Sequence, residues 1–308
     1  MAFYLGMDAG GSRTRVAVSE DGRELARAEG ESIKTLRIAE GDAEARLGAE
    51  VRFGALIEEL GSKAGVDLRY VERSSVGLSG ASVPAVREFV DLVLSRRVGG
   101  TIEIVGDQVI ALDAAFPGGD GILVIAGTGS NVGGRFGDTL FGAGGWGPML
   151  GDEGSGYWIG HEALRSATKA RDRGEAPLVL TEAMRVWNVE SIGDLIAVAH
   201  RPGTSFAALS QVVVACADRG DAVAIDVLRR AGEELAAQVV TVYRKMQAAG
   251  FAASECGVAY TGSVLGKIDR VRESFNAAVL RQIPGARFVE GEIDAVVGAL
   301  WRAAHPRK

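Results

Sequence analysis

Cysteine is nearly absent from this chain: 308 residues contain only Cys216 and Cys256, far apart and outside any CxxC. Such a pair builds neither a disulfide framework nor a thiolate metal site, and it predicts a reducing, cytoplasmic setting. Histidine occurs three times, and His161-Glu162 lacks a second histidine four positions after the first, so no zinc-protease helix is present. Seven prolines and no Gly-X-Y period exclude a collagen-like or proline-rich chain. Apolar runs such as Ile122–Ala126 and Val212–Ala217 fall far short of the ~20 residues of a membrane-spanning helix. A basic excess is missing too. Lys and Arg number 34 against 40 Asp and Glu, a net charge of −6 with no basic cluster, so nucleic acid is not an expected partner. No basic segment precedes the strand-like run at Phe3, so no secretory leader is expected.

What the chain has in excess is glycine, 43 residues, about twice the ordinary share of ~7%. The apolar fraction of 47% and the charged fraction of 24% are those of a globular protein. Above ~250–300 residues chains tend to divide into two domains. The question is therefore what a folded, two-domain protein needs so much bare backbone for.

Two similar sections are legible. The first opens with strands at Phe3–Met7, Arg13–Ser19 and Arg23–Ala28, the last two joined by an Asp21-Gly22 hairpin turn. A helix over Asp42–Lys63, a strand at Ser74–Leu78, a helix from Pro84, a strand at Thr101–Val105 and a helix over Asp107–Phe116 follow. The breaker cluster Pro117–Gly121 then interrupts the pattern. Three strands restart it at Ile122–Ala126, Asn131–Phe136 and Thr139–Phe141. Helices dominate from Glu153 to Ala249. Then come a strand at Gly257–Thr261, a helix over Asp269–Arg281, a strand at Arg287–Glu290 and a last helix from Asp294 to Ala304. The two three-strand openings read as a remote duplication.

Each opening carries a Gly/Ser/Thr turn after its first strand. In Gly6-Met7-Asp8-Ala9-Gly10-Gly11-Ser12-Arg13-Thr14, consecutive glycines let backbone N–H groups converge on an anion. A carboxylate at Asp8 beside a phosphate needs a cation between them, and Mg²⁺ suits that; the plain alternative is a hairpin with Asp8 as turn former. Ala126-Gly127-Thr128-Gly129-Ser130-Asn131 repeats the logic. It is no dinucleotide fingerprint, since Val132 stands where the third glycine belongs, and Gly262–Lys267 is one residue short of a P-loop. Paired phosphate-type turns point to one nucleotide held in a cleft between two related domains. The densest glycine run, Gly142 to Gly156, adds Trp146, which suits a sugar ring face, and Asp152, which suits sugar hydroxyls or the cap of a helix Glu153–Thr168. Asp107 opens a helix after a strand, as an N-cap or as a base that takes a hydroxyl proton.

The ordered set Gly6–Thr14, Gly127–Asn131, Gly144-Gly145-Trp146-Gly147…Gly151-Asp152-Glu153-Gly154-Ser155-Gly156-Tyr157-Trp158 and Tyr260-Thr261-Gly262-Ser263 resembles the N-acetylglucosamine kinase group of the BadF/BadG-type ATPase family, within the actin–sugar kinase–heat-shock ATPase superfamily. The resemblance runs the whole length. It implies two ribonuclease-H-like α/β domains, each a mixed five-stranded sheet flanked by helices, with an interdomain cleft for ATP. The implied domains are 1–116 with 292–308, and 117–291. It further implies that Asp8 is the Mg²⁺-associated acid and that Gly10, Gly11 and Ser12 meet phosphate. Asp107 is the implied general base toward the sugar 6-hydroxyl. Gly127 and Thr128 are implied at the γ-phosphate, Asn131, Gly145, Trp146 and Asp152 at an amino sugar, and Gly262, Ser263 and Ala217 at the adenosine. A homodimer is the expected assembly.

One departure stands out. Where the resembled group offers an asparagine to the sugar, Glu31-Ser32-Ile33-Lys34-Thr35 places Lys34. A cation there suits a carboxylate-bearing relative such as N-acetylmuramate. The other branch of the family, ATPase activators of dehydratases or reductases, needs cysteines around an iron–sulfur cluster, and no closely spaced pair exists here. A non-catalytic sugar or nucleotide sensor is the remaining alternative, disfavoured by the presence of both Asp8 and Asp107.

Overall fold

The computed structural model describes all residues except 11, 12, 34, 253, 254, 290, 292, 307 and 308, and of Thr35 and Leu36 the backbone only. Its elements are β1 (Phe3–Ala9), β2 (Arg13–Glu20), β3 (Arg23–Glu31), α1 (Thr35–Ala39), α2 (Ala43–Ala64), β4 (Val71–Leu78), α3 (Pro84–Ser95), β5 (Thr101–Gly106) and α4 (Asp107–Ala115). There follow β6 (Gly121–Ala126), β7 (Ser130–Phe136), β8 (Thr139–Gly144), α5 (Gly156–Asp172), α6 (Leu178–Val186), α7 (Ile192–Ala199), α8 (Ser210–Asp218) and α9 (Ala222–Ala248). The chain ends with β9 (Cys256–Thr261), α10 (Ser263–Lys267), α11 (Asp269–Gln282), β10 (Ala286–Phe288) and α12 (Ala295–Ala304).

Local chemistry sets these boundaries. Asp21 and Gly22 adopt φ of 47° and 88°, the two left-handed residues that a tight hairpin turn requires between β2 and β3. The Asp42 carboxylate accepts the Ala45 amide at 3.0 Å to start α2, and Gly65 at φ 65° ends it. Pro84 opens α3, where its missing N–H is no loss.

The chain divides into two compact units, Met1–Gly119 with Glu292–Lys308, and Asp120–Gly291. The junction at Gly119 lies inside the Pro117–Gly121 breaker cluster. The first unit has the sheet order β3-β2-β1-β4-β5, and the second β8-β7-β6-β9-β10 read from its hairpin edge. The two orders are the same if β1 corresponds to β6, β4 to β9 and β5 to β10. In each, a meander of three antiparallel strands is extended by two parallel ones. The mixed five-stranded sheets and flanking helices are those the resemblance implied. Each unit has its own core, built around Leu5, Met7, Val16, Phe53 and Leu60 in the first and around Ile122, Val124, Ile159, Leu235 and Phe275 in the second.

In the first unit α12 lies against β1 and α4, and glycines permit the approach. A Cβ at Gly298 would sit 1.9 Å from the Ile110 carbonyl oxygen, and one at Gly6 would sit 2.6 Å from the Leu300 nitrogen.

Several boundaries differ from the sequence expectation. The helix expected from Glu153 begins at Gly156, because Gly154 takes φ 77° and Ser155, not Asp152, caps it; the Ser155 hydroxyl accepts the Trp158 amide at 3.1 Å. Strand β8 runs on to Gly144, and β10 is shorter and earlier than expected. The short helices α1 and α10 were not anticipated.

Two substitutions test this packing. Gly298→Ala loses about 1–3 kcal/mol through overpacking, read as a lowered urea midpoint. Gly48→Ala, inside α2 with open space around it, gains about 0.5–1 kcal/mol in the same assay.

Candidate active site

In the first unit, Asp8 stands near the end of β1 and faces Arg15 across the antiparallel pair with β2. One carboxylate oxygen, Oδ2, accepts from Arg15 Nη2 at 2.7 Å, and Arg15 also reaches Asp294 at 3.7 Å. The other, Oδ1, lies on the Gly10 side, 3.3 Å from where a Cβ of residue 10 would be. Arginine thus fixes the carboxylate while one oxygen stays turned toward the glycine turn. Burial pushes the Asp8 carboxyl above its ordinary range, with the Arg15 guanidinium pulling it back down. Gly11 and Ser12 lie outside the described residues, as does Lys34.

Asp107 is the first residue of α4, and its Oδ1 accepts the Gln108 amide at 2.9 Å. The flanking position before the helix is Gly106, so Asp107 is not the N-cap; its carboxylate faces the N-terminal amides of the helix from within the first turn. Burial raises its carboxyl above the usual carboxylate range, the Gln108 amide lowers it, and the charge of Asp8 raises it again. The two acids are therefore close enough to feel one another. A Cβ at Gly106 would meet nothing within 4 Å, which leaves open space beside the Asp107 backbone.

In the second unit the β6–β7 turn is tied down from behind. The amides of Gly156 and Tyr157 at the start of α5 donate to the carbonyls of Gly127 (2.8 Å) and Thr128 (3.1 Å). Thr128 is exposed, and its hydroxyl has no protein partner among the described residues. Gly127 has neither a left-handed φ nor a neighbour within 4 Å of a Cβ, so its bareness serves open space and not chain geometry. The Gly127 amide is spent within the turn, on the Gly129 carbonyl at 2.9 Å, so the free Thr128 hydroxyl is the neutral donor left for a phosphate.

Asp152 is 7% exposed and sits at φ 59°. Its carboxylate accepts the backbone amides of Ser130 and Gly147, which partly offset the rise that burial imposes on its pKa. It also fills the space that a side chain at Gly129 would take, with Oδ2 2.7 Å from that Cβ position. The Ser130 hydroxyl donates to the Glu153 carbonyl at 2.8 Å, and the Gly145 amide donates to the Ser130 carbonyl at 3.1 Å. Gly145 runs beside Asn131, whose buried Oδ1 lacks a partner, an acceptor left for a ligand donor. Trp146 is 73% exposed, so it is no core anchor. Three of the expected residues, Asn131, Gly145 and Asp152, are thus gathered around the start of β7, with Thr128 and Trp146 close to them along the chain.

Gly262 takes φ 98° and a Cβ there would lie 2.3 Å from the Ala126 carbonyl oxygen, so Gly262 and Ser263 adjoin the β6 turn. Ala217 is not brought to an open surface. It is 2% exposed within α8, packed in the core beside Cys216. Sequence reasoning also missed two residues. Arg15 orients Asp8, and Gln238 on α9 donates through Nε2 to the Glu153 carbonyl at 3.4 Å. Arg15 had a signal in the hairpin register; Gln238, from a distant helix, had none.

No cluster of three or more His, Cys, Asp or Glu suited to a metal occurs among the described residues. A magnesium ion held by one carboxylate and substrate phosphates needs no such cluster, and Asp8 with its turned-in Oδ1 fits that donor set.

A two-unit α/β fold with this repeated sheet order is that of the actin-like sugar kinases. A solved structure from Chromobacterium violaceum, described as a candidate N-acetylglucosamine kinase, superposes with a TM-score of 0.72 at 26% identity, covering 97% of this chain and 98% of that one. The chain belongs to the BadF/BadG/BcrA/BcrD ATPase family, whose model matches residues 5–303. It is 28% identical to a Clostridium acetobutylicum protein named N-acetylmuramic acid/N-acetylglucosamine kinase, over 97% of both chains. It is also 28% identical to an N-acetyl-D-glucosamine kinase of Dictyostelium discoideum, over 99% of this chain and 98% of that one.

If Ser155 and not Asp152 caps α5, the two separate on mutation. Ser155→Ala loses about 1 kcal/mol of unfolding free energy in a denaturant titration. Asp152→Asn leaves this capping contribution in place.

Proposed function

We propose that this chain is an ATP-dependent amino-sugar kinase, moving the γ-phosphoryl group of ATP to the 6-hydroxyl of N-acetylglucosamine or a close relative such as glucosamine or N-acetylmuramate. The observation that carries it is Asp107, a carboxylate of raised pKa at a helix N-terminus beside open backbone. Relatives that match nearly end to end bear N-acetylglucosamine kinase names, which supports the substrate class.

Phosphoryl transfer asks little covalent chemistry of a protein; positioning and charge do the work. Asp107 accepts the proton of the attacking hydroxyl as the sugar oxygen bonds to phosphorus and ADP leaves. The Thr128 hydroxyl donates to a phosphate oxygen, with bare Gly127 giving the phosphate room beside it, and Gly10, Gly11 and Ser12 meet phosphate from the first turn. Gly262 and Ser263 lie against the nucleoside. Asn131, Gly145 and Asp152 hold the sugar by hydrogen bonds, and Trp146 covers its apolar face. Mg²⁺, when bound at Asp8, neutralises phosphate charge. Arg15 keeps the Asp8 carboxylate oriented for that role.

The activator role has less support, because Cys216 and Cys256 are both buried and the Cys256 thiol is pushed up to about 11 by burial. These free thiols favour a cytoplasmic setting, and no helix among the described residues is long and apolar enough to cross a membrane. A homodimer is the proposed assembly, on the strength of the family resemblance, and a solution mass twice that of the 32.1 kDa chain would support it.

Two measurements test the assignment. In a coupled ADP-release assay over glucosamine, N-acetylglucosamine, N-acetylmuramate and glucose, an amino sugar is turned over fastest; glucose leading overturns the substrate class. Asp107→Asn lowers kcat by about 10²–10⁴-fold, and full turnover removes the base assignment. The pH profile carries a sign as well. Asp107 works as the carboxylate, so kcat/KM falls as pH drops through its raised pKa, an acid limb above the ordinary aspartate value of about 3.9.

A further inference from the structure

Apart from the residues assigned above, the second unit holds a cavity of about 660 Å³ between α5, the end of α7 and the segment after it. That size falls within the ~300–1,000 Å³ usual for small-molecule pockets. One face of α5 supplies Tyr157, His161, Leu164, Arg165 and Thr168, which recur at helical spacing. Leu195 and Ile196 face them from α7, and Phe206 closes the floor.

The floor is apolar and rigid. Tyr157, His161 and Phe206 contact one another ring to ring, at centroid separations of 5.8, 5.3 and 5.0 Å, and Trp187 packs on Phe206 from behind at 5.5 Å. Burial, helped by Arg165, holds the His161 imidazole below its usual range, so at neutral pH it acts as part of an uncharged aromatic wall. The wall is also an exposed one: Ile196 is 52% exposed and Met149, on the same lip, 85%.

The rim is cationic. Arg165 and Arg201 line it, and no Asp or Glu is among the lining residues, in a chain whose net charge is −6. Arg165 has one acidic neighbour, Glu162 on the same helix, at 3.3 Å; Glu162 is shared with Arg230 at 2.9 Å. The Arg201 guanidinium has no ion pair or side-chain hydrogen bond among the described residues. His200 places Nδ1 on the Ile196 carbonyl at 2.9 Å. That acceptor fixes the proton on Nδ1 and leaves Nε2 for a ligand. Two of the chain's three histidines, His161 and His200, thus meet at this one cavity.

From this combination we infer that the cavity is a binding site for an amphipathic organic anion, an acyl or aryl body on the Tyr157–Phe206 floor with its carboxylate paired to Arg201. An apolar floor alone would take any greasy group. An unpaired guanidinium at its edge selects one that ends in a negative charge, because a charge-assisted hydrogen bond is roughly twice as strong as a neutral one. The inference stands apart from the kinase assignment, since it uses none of the residues placed at the phosphates or the sugar.

The probes are octanoate and octan-1-ol, which share an apolar body and differ in charge, titrated calorimetrically into the full chain. Octanoate binds once per chain and octanol about tenfold more weakly or worse, a difference of ~1.4 kcal/mol. Arg201→Gln weakens octanoate by about tenfold and leaves octanol unchanged. Ala199→Trp, which fills the cavity, removes binding of both while the circular dichroism spectrum stays native. Arg201→Gln, at an exposed position, keeps the test decisive should the tryptophan variant fail to fold. Equal affinity for acid and alcohol, no octanoate binding, or unchanged octanoate affinity in Arg201→Gln overturns the inference. So does an outcome in which octanoate fails to bind and Ala199→Trp splits an oligomer, which would make this face a contact between copies of the chain.

Discussion

A single buried carboxylate organises the second unit's site. Asp152 is held at a left-handed backbone angle, and its oxygens accept amides from two separate loops, at Ser130 and Gly147. A carboxylate out of water is costly unless hydrogen-bonded. These amides meet that demand and in doing so pin the β6–β7 turn to the loop that carries Trp146. Gly129 follows as a necessity, because any side chain there would occupy the space of the Asp152 carboxylate. The start of α5 follows too: with Asp152 turned inward, Ser155 caps the helix, and its first amides are free to bind the carbonyls of Gly127 and Thr128.

The repeated sheet order allows the two units to divide the chemistry. In the first, Asp8 faces Arg15 across the leading hairpin; at the corresponding place in the second, Ile125 faces Asn131. One copy carries charge and the other neutral hydrogen-bonding groups. The acid at the end of β5, Asp107, opens α4 of the same unit, whereas the helix that follows the short β10 is α12 of the first unit. The first unit's hairpin thus sets an ion pair where the second sets an apolar and an amide side chain.

Much of this was legible in the sequence because it depends on local rules. The Asp21-Gly22 turn and the proline at the head of α3 each follow from the backbone preferences of one or two residues. The helix start near Asp152 was misread because three neighbouring residues, Asp152, Glu153 and Ser155, all suit a helix start. Only the φ of 77° at Gly154 decides among them, and it is set by close packing against Leu235 and the Ala231 carbonyl on α9. Ala217 came from the resemblance alone, and nothing in its own surroundings favours a ligand. The α9 contacts, including Gln238 to Glu153, join residues far apart in sequence, so no short-range pattern carries them.

The arginine beside Asp8 brings these strands of argument together. An ion pair at an acid proposed to hold a cation looks like competition, since it already neutralises the carboxylate. The geometry points the other way. Arg15 takes only Oδ2 and is itself shared with Asp294, which in turn is bound by Arg27 at 2.5 Å. The carboxylate is therefore anchored by Arg15, which favours its ionised form against burial and against the charge of Asp294. Without Arg15, desolvation and the nearby charge of Asp294 would both favour a protonated Asp8, a poor ligand for a hard cation. A cation at Oδ1 would in turn ease the repulsion that raises Asp107. The two acids of the first unit are thus coupled, and the arginine that takes one oxygen of Asp8 leaves the other oxygen free.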